Sequence, residues 1–230
     1  MRQLSKRNLL LLLLIMCVSF ASAEKKEIIT LKQGDPLILL QKKKTAIFEI
    51  DYSQMVVTDG KNHEDDIPFY EWMKIQDEDN DKWTEDWESK DKEKCYKAFR
   101  DNFNSELKNG LKLTKLGKNY KAIFRINQIN FGNAVRYTVM WGLRKGISKA
   151  SGSFEVRDIN TDEVKLILDF KDLKGEGSFK QIGRLIGIFE NFGEQLNEFL
   201  EEYQEEYEKQ QKEQEKLRKK ELKKAEKNKE

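Results

Sequence analysis

The chain has 230 residues, 37% of them charged and 38% hydrophobic, with 43 basic groups against 41 acidic ones. That length holds one domain with appendages or two small ones, and the composition can close a core while leaving much solvated surface. The near balance of charge argues against a nucleic-acid partner, which calls for a basic excess; a lone histidine excludes histidine-dependent triads and multi-histidine zinc sites.

Arg2, Lys6 and Arg7 precede the apolar run 9–20, which closes on Ala21-Ser22-Ala23. This is the order of a secretory signal peptide with a small-x-small cleavage site. About a dozen apolar residues are too few to anchor a chain across a bilayer. Residues 1–23 are therefore expected to be removed, and the remainder, without a transmembrane span, to be periplasmic or extracellular. Cys17 stands where a lipoprotein cysteine would, but bulky Met16 precedes it; a lipid anchor at the outer membrane is the alternative. Residues 1–23 hold three basic groups and no acidic one, so the cleaved chain has one acid in excess. It keeps one cysteine, Cys95, so no internal disulfide can form and stability must come from the core.

Short strands are predicted at 28–31, 37–40 and 46–52, separated by Gln33-Gly34-Asp35-Pro36 and Lys42-Lys43-Lys44, with a further one at 55–58. The pattern leaves open whether they join the later sheet. His63 falls in a polar loop and reads as solvated. Pro68 suits the first turn of a helix over 69–76. A second helix, 90–108, carries Cys95, Tyr96, Phe99, Phe103 and Leu107 on one stripe, and Asn109-Gly110 predicts a left-handed cap. On that stripe Cys95 reads as a small buried apolar residue, not a nucleophile.

Between these helices Asp77, Asp79, Asp81, Glu85 and Glu88 take positions 1, 3, 5, 9 and 12 of the calcium-loop template. Lys82 replaces its turn glycine, where a left-handed backbone costs a side chain about 1 kcal/mol or more. Thr84 replaces the usual apolar link. A solvated acidic loop and a calcium site both stay open. Trp72, Trp83 and Trp87 with Tyr70 form either an aromatic platform for a sugar or peptide, or the packed edge of a helical layer.

From Tyr120 the apolar residues alternate as Ala122, Phe124 and Ile126, then change parity at Ile129 and Phe131, which predicts a bulge near Asn127-Gln128. Further alternating runs follow at 135–143, 154–156 and 164–170, an antiparallel meander apolar on one face. Gly175 and Gly177 end it, and Ser178-Phe179-Lys180-Gln181 fits a capping box. Leu185, Phe189, Phe192, Leu196, Phe199 and Tyr203 then recur at helical spacing, with Gly183 and Gly187 placed for close packing. Gly175-x-Gly177 echoes a dinucleotide fingerprint but lacks its third glycine and a following strand. Residues 201–230 hold ten acidic groups, clustered early, and ten basic ones, clustered late. This suits the helix dipole and predicts a protruding, fraying, coiled-coil-like tail over 208–230, either solvated or a partner-binding arm.

The motifs Phe99-x3-Phe103-Asn104-x2-Leu107, 120–132, Val156-x-Asp158-x2-Thr161-x-Glu163-Val164, Gly175-x-Gly177, Arg184 and Phe192-Gly193 resemble exported domains of unknown function from Gram-negative bacteria. Their order of helix, meander and helix is similar to the small α+β domain of envelope lipoproteins that assist secretion or cell-wall assembly. The resemblance covers 99–200, under half of the chain, and implies a fold and a compartment but no activity, because its motifs are turn and packing residues.

The expectation is thus a single α+β domain over 24–207, an antiparallel β-meander covered on one face by two helices, with a charged helical extension. Its expected role is a non-enzymatic binding or assembly module of the bacterial envelope, with a protein or cell-envelope partner and no cofactor. The alternatives are a calcium-binding exported protein using 77–88 and, behind both, an acid-dependent hydrolase.

Overall fold

The computed structural model describes residues 27–58, 66–78, 82–132, 147–175 and 180–227, the last helix with its side chains through Lys219. Its elements follow as β1 (Ile29–Gly34), β2 (Thr45–Asp51), β3 (Val56–Thr58), β4 (Ile67–Pro68), α1 (Phe69–Glu78), α2 (Trp83–Asp86), α3 (Lys92–Glu106), β5 (Lys112–Leu113), β6 (Tyr120–Asn130), β7 (Ser148–Asp158), β8 (Val164–Gly175) and α4 (Gln181–Lys227). The signal-like segment, the His63 loop, the run 135–143 and the first two residues of the capping box lie outside the described residues.

Among the described residues the protein is an α+β sandwich of one eight-stranded, mostly antiparallel sheet under helices, six strands in the order β1-β8-β7-β6-β2-β5, with β3 beside β6 and β4 beside β3 off that path. β6, β7 and β8 are the antiparallel centre, and the register aligns Phe124, Phe154 and Leu168 across it. The ladder shifts between Ile126 and Gln128, the bulge that the parity change demands. Asp158 turns β7 into β8: its carboxylate accepts the N–H groups of Asn160 at 2.9 Å and Thr161 at 3.1 Å, an Asx-type turn.

The N-terminal strands join this sheet. β1 runs antiparallel to β8 at one edge, while β2 and β3 lie in succession along β6, both parallel to it. Parallel neighbours need a long crossover, and α1 to α3 supply it. The run 37–40 is not a strand but part of a 3-10 turn, Pro36–Leu40, begun by the Asp35 carboxylate accepting the Leu37 N–H at 2.9 Å. Four apolar residues have no period to distinguish strand from turn; here Asp35 and the fixed φ of Pro36 decide.

The helical layer also differs in its limits. α1 continues through Glu78, and the second helix begins at Trp83, passing through a π-turn, Trp87–Asp91, into α3. Trp83 and Trp87, four apart, are both buried on its inner face, a helical spacing masked by the acidic residues around them. At the far end of α3 the left-handed cap is absent: Leu107 leaves the helix at φ −88° and Gly110 stays outside the left-handed region. The Gly110 N–H instead bonds the Leu107 carbonyl at 3.1 Å.

Between sheet and helices lies a phenylalanine core. Phe99 of α3, Phe124 of β6, Phe154 of β7 and Phe192 of α4 are fully buried, with Phe99–Phe124 and Phe124–Phe192 centroids both 4.7 Å apart. Tilted and edge-on rings at such spacing add to the area they bury. The opposite face is charged: Arg125 Nε donates to Asp51 at 2.9 Å and Nη1 lies 3.6 Å from Glu155, which also receives Arg157.

Candidate functional site

α4 covers the sheet only with its first turns. Leu185, Phe189, Phe192, Leu196 and Leu200 are buried, whereas side chains from 204 to 219 are exposed. At the crossover, where α4 passes the edge strand β1, a groove of about 210 Å³ opens. Ile28 and Ile29 form one wall; Phe199 and Tyr203, one helical turn apart and stacked at 6.2 Å, form the other. Glu27, Glu198, Glu202 and Glu206 ring it, and no lysine or arginine lines it among the described residues. The Tyr203 phenol is pushed up, by burial first and then by Asp35 and Tyr207.

The neighbouring sheet edge is open. Among the described residues β1 pairs only with β8, and the Lys171 N–H donates to the Ile28 carbonyl at 2.9 Å. Alternate residues of an antiparallel strand bond to opposite sides, so Ile29 and Leu31 turn their backbone groups outward. Beyond Leu31 the register slips and Lys32 pairs with Asp169 at 3.4 Å, which blunts the edge. The groove thus offers a short backbone template, an aromatic wall and a carboxylate rim. That combination fits an extended, cationic and partly apolar segment: backbone groups for β1, a methylene stem for the rings, and a cation for the rim.

Of the residues that match the calcium template, the described ones are spread over helix. Asp77 lies in the last turn of α1, where its Oδ1 accepts the Thr84 N–H at 3.1 Å; the Thr84 side chain, then the Thr84 and Trp83 N–H groups, hold its carboxyl below the ordinary range. Glu85 lies in α2 and Glu88 in the π-turn, both solvent-facing, with Glu88 3.9 Å from Lys92. Lys82 adopts the left-handed conformation, φ 48° and ψ 35°, which the template assigns to glycine. Asp79 and Asp81 lie outside the described residues. Among the described residues no three histidine, cysteine or carboxylate groups gather as a metal site.

The tryptophans are packing and not a platform. Trp72 meets Trp83 and Phe131, each at 5.0 Å, and Trp87 meets Tyr52 at 4.9 Å; Tyr70 alone of the four candidates is exposed. Cys95 is fully buried, and burial pushes its thiol up to about 12. Arg184 is buried too, its guanidinium donating to the carbonyls of Phe131 and Gly132, which ties the start of α4 to the end of β6.

Sequence reasoning placed Phe199 and Tyr203 on the apolar stripe but missed the groove. Glu198, Glu202 and Glu206 recur every four residues beside them, a legible signal on the helix; the β1 wall is not legible without knowing that β1 pairs with β8.

No protein-family model matches the chain, and no curated protein does. Solved structures of PelC from Paraburkholderia phytofirmans, described as a dodecamer in two crystal forms, align over 74% of this chain and 95% and 96% of theirs, with 8% identity and a TM-score of 0.36.

Proposed function

We propose that this protein is a non-enzymatic binding or assembly module of the bacterial envelope, exported by its N-terminal signal and cleaved after Ala23. Its groove between β1 and α4 takes a cationic, partly apolar segment of a partner protein. The observation that carries this reading is the rim of four carboxylates around the stacked Phe199 and Tyr203, beside an open strand edge. Calorimetric titration of the chain from residue 24 with an alternating Lys-Val peptide tests it. The peptide should bind in a salt-sensitive way, an acidic counterpart should not, and Glu198→Lys with Glu206→Lys should weaken binding at least about tenfold. Equal binding of both peptides, or indifference to the double substitution, would sink the idea.

The left-handed Lys82 favours a second reading, calcium held between α1 and α2 by Asp77, Asp79, Asp81, Glu85 and Glu88. A ligand that binds only the folded state stabilises it by about 2.7 kcal/mol at a hundredfold excess over Kd. Melting in EDTA and in calcium, with Asp77→Ala and Glu88→Ala as controls, decides: no shift means no site of useful affinity.

A further inference from the structure

We infer that the corner where β5 meets the start of β2 is a contact surface for an anionic lipid bilayer. Leu116 enters the headgroup boundary there, and Lys42, Lys43, Lys44, Lys115 and Lys118 meet the lipid phosphates. The groove lies at the other edge of the sheet, beside β1, so this surface does not rest on the groove reading.

Leu116 is 84% exposed, the most open large apolar side chain among the described residues; Leu217 follows at 55%. Its loop has little freedom to turn it inward. Before it, the Thr114 N–H donates to the Ala46 carbonyl at 2.9 Å. After it, the Lys118 N–H donates to Thr45 Oγ1 and the Asn119 N–H to the Thr45 carbonyl, both at 3.0 Å. Between these bonds Gly117 lies against β2, where an added Cβ would stand 1.9 Å from the Ile47 nitrogen. The backbone is clamped to β2 on both sides of Leu116, and the side chain is held in water, forgoing what its burial would return.

The same clamp gathers the lysines. The turn before β2 holds Lys42, Lys43 and Lys44, all exposed, with Lys43 in the left-handed region at φ 65°. It adjoins β5 through the Lys112 N–H, which donates to the Lys44 carbonyl at 3.0 Å, and Lys118 is bonded to Thr45, the next residue. Among the described residues Lys42, Lys43, Lys44 and Lys118 form no ion pair, and the 3.5 Å pair of Lys115 with Glu93 is largely exposed on both sides. The acids of the neighbouring β7–β8 turn are engaged elsewhere: Asp158 with the N–H groups of its own turn, Asp162 with Arg157 and Glu163 with Lys165.

Exposed lysines alone would suit any polyanion. A nucleic acid or an acidic polysaccharide offers no apolar phase for Leu116. A bilayer surface sets phosphates beside the acyl boundary, which accepts an apolar side chain and the lysine stems together. Each lysine close to an anionic bilayer tightens binding about fivefold.

Co-sedimentation of the chain from residue 24 with vesicles tests this. That chain lacks the apolar run 9–20 and Cys17, so neither can carry it to a bilayer. Equimolar phosphatidylcholine and phosphatidylglycerol should bind it, pure phosphatidylcholine should not, and binding should fall as salt is raised. Leu116→Ser should weaken binding about tenfold, and Lys43→Ser with Lys44→Ser and Lys118→Ser on the order of a hundredfold. All four side chains are exposed, and unchanged melting separates these losses from unfolding. An environment-sensitive fluorophore at Leu116→Cys, with Cys95 buried, should shift to the blue on the anionic vesicles and be shielded from a water-soluble quencher; at Gln211→Cys it should do neither. Equal binding to both vesicles, or to neither, overturns the inference. So does anionic binding that survives the lysine substitutions, which would place it on the basic end of α4. Binding that Leu116→Ser leaves unchanged, with the fluorophore unshifted, also overturns it and leaves a surface for soluble polyanions. None of these outcomes bears on the Lys-Val titration.

Discussion

Tyr52 and Trp87 meet edge to face, and each buries a polar atom: the Trp87 indole N–H has no hydrogen-bond partner among the described residues, and the Tyr52 hydroxyl none beyond sulfur. The Cys95 thiol beside Tyr52 is a weak partner. Removing an unsatisfied hydroxyl recovers its desolvation cost, so Tyr52→Phe should leave stability unchanged or raise it by up to about 1 kcal/mol in urea unfolding. A loss of that size would mean that the hydroxyl is bonded. A thiol titrating at about 12 holds almost no thiolate at neutral pH. Cys95 should therefore react with thiol reagents only after unfolding; stoichiometric labelling of the native chain would contradict its burial. On the charged face, burial opposes ionisation of Asp51, but the Ser53 side chain and N–H and the Arg125 guanidinium outweigh it, and its carboxyl sits below the ordinary range. A folded value below the unfolded one gives stability that is complete above the unfolded value and is lost as pH falls through the folded one. Asp51→Asn should thus lower stability at neutral pH and flatten the acid limb of the stability curve, read by thermal melts across pH.

Among the elements, α3 and α4 approach closely at Gly193, where an added Cβ would stand 1.9 Å from Asn102 Oδ1. Gly193→Ala should drive the flexible Asn102 amide into another rotamer, not move backbone, at a cost of about 0.5–1.5 kcal/mol, measured as a lower urea midpoint with unchanged slope. Period-two alternation makes β6 legible in the sequence down to its bulge, because one buried face must show any change of parity. The stripe of α4 is legible for the same reason at period 3.6. Local pattern cannot state which strands lie side by side, so the parallel pairing of β2 and β3 with β6 had no signal. The short run 37–40 and the acid-rich start of the second helix misled for a related reason: too few residues, or too many charges, to display a period. The candidate site divides along that line, its helix wall readable from Phe199, Tyr203 and their glutamates, its strand wall hidden in a pairing.

At the scale of the whole molecule, β1 is a weakly secured edge of the sheet. Its residues after Ile29 are exposed, among the described residues it bonds along one side only, and its register is broken beyond Leu31. Amide exchange should therefore be faster in β1 than in β6 or β7, whose openings approach the global one; uniform protection would show that something further covers the edge. β1 and β8 are also the first and the last strand of the described sheet, with Ile29 against Phe170 and Gly34 against Leu166. A polypeptide is synthesised, and under the proposed export threaded, from its N-terminus. The first strand to emerge must then wait, unzipped, for nearly the last. Until β8 arrives, the leading strand is available to any escort that can pair with it, and the domain becomes whole only at the end of its passage.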